Sequence, residues 1–293
     1  MSARGWVLFA AMSLIWGVPY LMIKVAVGDV SVPFLVFVRS AVGAALLAPL
    51  ALSATNRALL RRHWKAVAGF AFFEMIAAWL MLSDAERHLT SSLTGLLIAA
   101  APIIAAVADR LTGGERLGPT RVIGLSVGLA GVAVLAGPGL TGGGAWPVIE
   151  VLLTATCYAI APLIAARYLA DVPGPALTSA CLGLTALVYL VPAGMTWPTH
   201  ALRTQTYWAI AGLAGVCTAL AFVVFFALIR EVGAARSLIV TYVNPAVALL
   251  AGVIVLREPL TWFNIAGLAL ILAGSALATR PGTARTSELA GHQ

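Results

Sequence analysis

"PAVALLAGVIVLREPL", residues 245–260, is an apolar run that closes on an acid, Glu258, set between Arg257 and Pro259. A second version, "PIIAAVADRLTGGERL", occupies residues 102–117. Pro, Ala, Ala, Glu and Leu recur at the same relative positions. Pro102 and Pro245 stand 143 residues apart, and so do Glu115 and Glu258. The same offset carries Gly124, Leu125, Leu129, Ala130, Gly131 and Ala133 onto Gly267, Leu268, Leu272, Ala273, Gly274 and Ala276. Earlier in the chain it carries Pro19 onto Pro162, Lys24 onto Arg167, Pro49 onto Pro192 and Ala68-Gly69 onto Ala211-Gly212. One constant offset that takes prolines and an acid with it reads as an internal duplication.

Composition sets the class. Of 293 residues, 61% are hydrophobic and only 10% charged, with mean hydropathy +0.99. A soluble domain needs a polar shell, and about a quarter of its residues are charged. The expectation is an all-α membrane protein. About 20 apolar residues cross the bilayer core as a helix. That ruler gives ten runs, near 5–27, 32–52, 66–83, 91–111, 118–136, 146–168, 175–194, 207–229, 236–256 and 262–279. Short breakers such as "SATNRALLRRHWK" and "GPGLTGGGA" separate them. Run 1 is long for a signal-peptide core and carries Lys24 before its small-residue end, so it reads as a span.

The net charge of +7 suggests cytoplasmic loops rich in Arg rather than nucleic-acid binding. With a cytoplasmic N-terminus, 13 basic residues fall in inner segments and 3 in outer loops. Both termini are therefore expected inside. Five spans per copy is an odd number, so the second copy enters from the opposite face. The expected architecture is ten transmembrane helices as two inverted five-helix repeats. The first covers 1–137 and the second 145–279, with a polar tail at 280–293. Two such halves can open to either side around a site between them.

Three stretches carry a resemblance. "WGVPYLMIK" (16–24), "PFLVFVRSAVGA" (33–44) and, most fully, "NPAVALLAGVIVLREPLTWFNIAGLALILAGSALA" (244–278) resemble the drug/metabolite transporter superfamily. Within it, the chain resembles the ten-span branch with two EamA domains. The likeness implies secondary active transport, export or uptake with export favoured, of small metabolites such as amino acids across a bacterial cytoplasmic membrane. It implies a small-molecule substrate and no enzyme activity.

Candidate site residues follow from what is costly in a membrane. Glu74 stands mid-run in "AGFAFFEMIAAWLML". A charged residue there costs about 2.5–3.5 kcal/mol on insertion scales and is functional by default. It is a candidate for proton coupling or for a substrate amine, or a structural partner of Arg39. Arg39 can hold a carboxylate in bidentate fashion or stay structural. Trp16 and Tyr20, and Thr154 and Tyr158, are i, i+4 pairs able to wall a pocket. Tyr242 and Asn244 precede Pro245. Pro102 and Pro245 are candidate helix breaks, since proline frees a carbonyl one turn earlier. Lys24 is placed to snorkel. Glu150 reads as interfacial, and Glu115 and Glu258 as caps of the helices that follow them.

Gly124, Gly128, Gly131, Gly267 and Gly274 suit close helix packing. Cys157, Cys181 and Cys217 are isolated in apolar runs and read as buried thiols. There is no metal cluster, P-loop or hydrolase motif. No cofactor is expected, and without an ATP site transport must run on a gradient, with protons a candidate. Two other readings stay open. One is efflux of drugs or lipophilic cations, and the other is a membrane enzyme acting on lipid-linked substrates.

Overall fold

The computed structural model describes residues 2–51, 53–111, 118–142, 144–233, 237 and 239–278. Among them there is helix and no strand. In lipid, only a helix satisfies its backbone groups from within one segment. Seven helical segments are long and apolar enough to cross a membrane: Ala3–Val27, Val32–Pro49, Trp64–His88, Ser91–Ala108, Ala145–Tyr168, Gly174–Met195 and Thr204–Val232. Three shorter apolar helices, Val122–Gly137, Val240–Val255 and Trp262–Leu277, fall where runs 5, 9 and 10 are expected.

Several runs are broken, each for a local reason. Run 1 divides into α1 (Ala3–Gly17) and α2 (Pro19–Val27) around Val18. Pro19 has no N–H to give to the preceding turn, and at the first helical position that lack is harmless. Run 2 is α3 (Val32–Ala51). Run 3 is α5 (Trp64–Ala71), a π-helical stretch over Phe72–Ile76, and α6 (Ala77–His88). Run 4 is α7 (Ser91–Ile98) and α8 (Ala101–Leu111), so the chain breaks at Ala99–Ala100, just before Pro102. Run 8 is α12 (Thr204–Ala211), a second π-helical stretch over Gly212–Leu220, and α13 (Ala221–Val232). Runs 5, 6 and 7 are α9 (Pro119–Gly142), α10 (Ala145–Tyr168) and α11 (Gly174–Met195). Runs 9 and 10 are α14 (Val240–Val255) and α15 (Trp262–Ala278).

Two expected breakers are helical. Residues 54–62 of the Arg-rich stretch form α4 (Ala54–Arg62), started by Ser53, whose hydroxyl accepts the Asn56 N–H at 3.1 Å. Helix α9 continues to Gly142 through much of "GPGLTGGGA". Pro245, expected at a helix break, lies inside the unbroken α14. One lost backbone bond does not open a helix that is packed on both α1 and α7.

The packing partners form a pattern. Run 2 lies along run 7, run 5 along run 10, and run 4 against run 9. Run 1 packs on runs 8 and 9, and run 6 packs on runs 3 and 4. Exchanging each run for the one five places away maps this set onto itself. The run 5–run 10 contact is built on glycine. A Cβ on Gly274 would strike the Gly128 backbone, and one on Gly131 would meet the Ile271 backbone nitrogen at 2.9 Å.

Contacts between loops sort by end. At one end, Asp29 accepts from the Arg203 N–H (2.9 Å) and the Thr206 hydroxyl (2.7 Å), and Ser31 meets Thr196 at 2.7 Å. The Arg203 N–H, the Thr206 hydroxyl, His200 and the Arg203 guanidinium together hold the Asp29 carboxyl down at about 2. At the other end, His63 meets Asp171 at 3.0 Å and Arg4 approaches Glu231 at 3.9 Å. Each contact joins loops separated by an even number of runs, as a chain crossing back and forth requires.

Candidate functional site

The two π-helical stretches occupy equivalent places. The 143-residue offset carries 72–76 onto 215–219, inside 212–220. A π turn adds a residue to the helix, re-aims the side chains around it and marks functional positions more often than chance. The first stretch contains Glu74, whose counterpart is Cys217. The neighbour of Cys217 is Thr218, which holds Arg39.

Glu74 is enclosed by protein yet keeps accessible surface, which is the condition of a group lining an internal space. Tyr20 and Tyr158 share that condition. Among the described residues Glu74 makes no hydrogen bond or ion pair. Its electrostatic neighbours are Tyr158 and Cys157 on α10 and Cys181 on α11.

Arg39 does not pair with Glu74. It is 8% exposed, its Nε donates to the Thr218 hydroxyl at 3.0 Å, and its guanidinium lies 3.7 Å from the centre of the Trp79 ring. A weakly hydrated planar cation gains from stacking on an aromatic face in a dry interior. The Trp79 side chain also neighbours the Tyr158 hydroxyl. Tyr158 feels both Glu74 and Arg39, and Tyr20 feels Arg39 and Glu86. The fold therefore gathers Glu74, Tyr158, Tyr20 and Arg39 from runs 3, 6, 1 and 2.

Trp16, Thr154, Tyr242 and Asn244 are placed elsewhere. The break at Val18 falls between Trp16 and Tyr20. Trp16 packs on Phe225 and Phe222 of α13, with ring centres 4.7 and 6.4 Å away. Thr154 is fully buried against run 3. Its hydroxyl donates to the Glu150 carbonyl (2.9 Å) and approaches the Ala78 carbonyl (3.4 Å). Tyr242 is half-buried on α14. The Asn244 side-chain oxygen is buried without a partner, and its carbonyl lies beside Gly17, where α1 meets α14.

A second polar group was not legible. Glu86 lies past the expected end of run 3, but α6 continues to His88 and buries it completely, with neither carboxyl oxygen bonded. Lys24 finds backbone partners. Its Nζ donates to the carbonyls of Glu86 (2.6 Å) and Leu89 (2.7 Å), closing the C-terminal end of α6. Glu258 caps a helix, but not the one that follows it. Arg257 takes φ 55°, the left-handed conformation that usually falls to glycine. The chain then turns so that the Glu258 carboxylate accepts the N–H groups of Ser91 (2.8 Å) and Ser92 (2.9 Å) and the Ser92 hydroxyl. It thus caps α7, from the other half of the chain. Glu115, its counterpart, lies outside the described residues. Glu150, near the start of α10, is 6% exposed.

The comparisons agree with this architecture. The model of the EamA-like transporter family matches residues 3–137 and again 145–280. The chain is 26% identical to the uncharacterized transporter YvbV of Bacillus subtilis, over 99% of this chain and 96% of that one. It is 26% identical to the uncharacterized inner membrane transporter YedA of Escherichia coli K12, over 92% and 88%. It is 24% identical to an uncharacterized transporter of Archaeoglobus fulgidus, over 94% and 99%. A solved crystal structure shares the fold at TM-score 0.67 and 20% identity, over 95% of this chain and 98% of the other. This multi-pass helical membrane protein, with its domain present twice, belongs to the EamA-like transporter family.

Proposed function

We propose that the chain is a secondary active exporter of small zwitterionic metabolites such as amino acids, working by alternating access in a bacterial cytoplasmic membrane. The halves are residues 1–137 and 145–279, inverted with respect to each other, and both termini are cytoplasmic. The partner-exchange pattern of the runs supports two halves related by a two-fold axis.

One observation carries the substrate class. Among the described residues Glu74 has no hydrogen bond or ion pair, while Arg39 shares Tyr158 with it as an electrostatic neighbour and has donors beyond the one given to Thr218. An unpaired carboxylate suits a substrate amine and a guanidinium suits a substrate carboxylate. Tyr20 and Tyr158 supply aromatic walls between them. A lipophilic cation would use Glu74 and leave Arg39 idle, so the presence of both signs favours a zwitterion. Trp16, Thr154, Tyr242 and Asn244, placed outside this group, hold together the helices that carry it.

Inverted vesicles containing the protein should accumulate a labelled amino acid down an imposed proton gradient. Glu74→Gln should lower that flux at least tenfold while the protein still folds, because no ion pair with Arg39 is lost. Uptake of lipophilic cations with none of any amino acid would replace this reading with the efflux one.

A further inference from the structure

Glu86 is the group that the substrate reading leaves over. It belongs to α6, near one end of the bundle, and is wholly buried. Both of its carboxyl oxygens are sealed from water, and among the described residues neither receives a hydrogen bond of ordinary geometry. An ionised carboxylate has about four acceptor sites and no means of satisfying them internally. Burying it bare is among the costliest arrangements in a protein. A single proton removes the charge.

The groups that face Glu86 are few. From α2 come Lys24 and Tyr20, from α3 Arg39, and from the turn after α14 Glu258. Asp84, Arg87 and His88 share its own helix, and Tyr158 of α10 lies beyond Tyr20 and Arg39. Glu258 is already committed to its three donors on Ser91 and Ser92. Arg39 is anchored on Trp79 and Thr218, and its remaining donors are the ones offered to a substrate carboxylate. Lys24 is the cation free to answer. Two of its three N–H donors lie on the Glu86 and Leu89 carbonyls, so its ammonium already sits beside the Glu86 backbone. An open cleft lined by Asp29, Asp84, Arg87 and His200 reaches the neighbours of Glu86 on α6.

We propose that the Glu86 carboxyl is a proton-binding site, separate from Glu74, and that Lys24 is the group that responds when the proton leaves. In the geometry described, Glu86 is the neutral acid and Lys24 bridges α2 to the end of α6. Loss of the proton to water through the cleft leaves a carboxylate. The Lys24 ammonium then turns from the two carbonyls to that carboxylate, and the bridge between run 1 and run 3 is released. One proton leaves, one charge appears, and one existing cation pairs with it. Only the use made of the proton rests on the reading of the chain as a transporter.

Infrared difference spectroscopy on the purified full chain, titrated with alkali, tests the site without any transport assay. The wild type should show the C=O stretch of a buried neutral carboxyl, which disappears as pH rises. Glu86→Gln should remove that component, and Glu74→Gln should leave it. Lys24→Gln should move its midpoint at least one pH unit higher, because the responding cation is gone. An unchanged band in Glu86→Gln overturns the proposal. Where Glu86→Gln does not fold, an unmoved midpoint in Lys24→Gln overturns it equally. A band that titrates as expected, in a protein whose flux ignores the pH gradient, keeps the proton site and removes the proton-coupled export reading instead.

Discussion

At the scale of single residues, the sequence identifies the expensive groups and the fold decides what each one does. Arg39 and Glu74 look like a pair in sequence because both are charged and both are deep. The structure separates them, since a guanidinium can spend itself on a ring face and a hydroxyl. Arg39→Lys should therefore be costly although charge is kept. A lysine has neither the planar face for Trp79 nor the Nε donor for Thr218. The loss of a charged buried hydrogen bond is about 1.5–3 kcal/mol, to be read as a lower unfolding temperature in detergent. Asp29 offers a test by pH. Its carboxyl is held down at about 2 against an ordinary 3.8, chiefly by the Arg203 N–H. A depressed acid stabilises the fold above its ordinary value, and that contribution fades as pH falls from there through about 2. Wild type and Asp29→Asn should differ by a constant unfolding temperature from pH 7 to pH 5. The gap should close between pH 4 and pH 2, and a gap that closes at neutral pH would contradict the assigned contacts.

At the scale of elements, hydropathy was enough to find the seven helices of spanning length, because an apolar stretch of that length has few alternatives in water. The interruptions were less legible. Pro19 breaks run 1 where the sequence suggested one helix, and Pro245 leaves run 9 whole where it suggested a break. Proline removes one donor in both places, and the packing around it decides whether the helix opens. The π-helical stretches had no sequence signal, since an extra residue in a turn leaves composition unchanged. Glycine was read correctly. At Gly274 a side chain would meet the Gly128 backbone, which cannot move aside as a side chain can. Gly274→Val should therefore separate α9 from α15 and cost about 1–3 kcal/mol, the usual range for overpacking. Gly183→Ala, where a Cβ meets open space, serves as the control in the same thermal unfolding measurement and should be near neutral.

At the scale of the whole molecule, the end that holds Asp29, Ser31, Glu258 and Lys24 is tied across the halves. Asp29 reaches run 8, Ser31 reaches Thr196, and Glu258 reaches run 4. If the halves rock, these ties must part. Ser31→Cys with Thr196→Cys should form a disulfide under oxidant and lower flux at least tenfold, with recovery on reduction. The native thiols are buried and should not interfere. Normal flux with the bridge in place would show that this end does not open during transport. Sequence alone determined the class, the duplication and the approximate runs, because these depend on the amount and period of apolar residues along the chain. Tertiary structure alone decided that Arg39 stacks on Trp79, that Lys24 closes α6, that Glu258 caps α7 and that Glu86 is buried bare. Each of these depends on which residue, far away in the chain, comes within about 3–4 Å, and no local pattern encodes that distance.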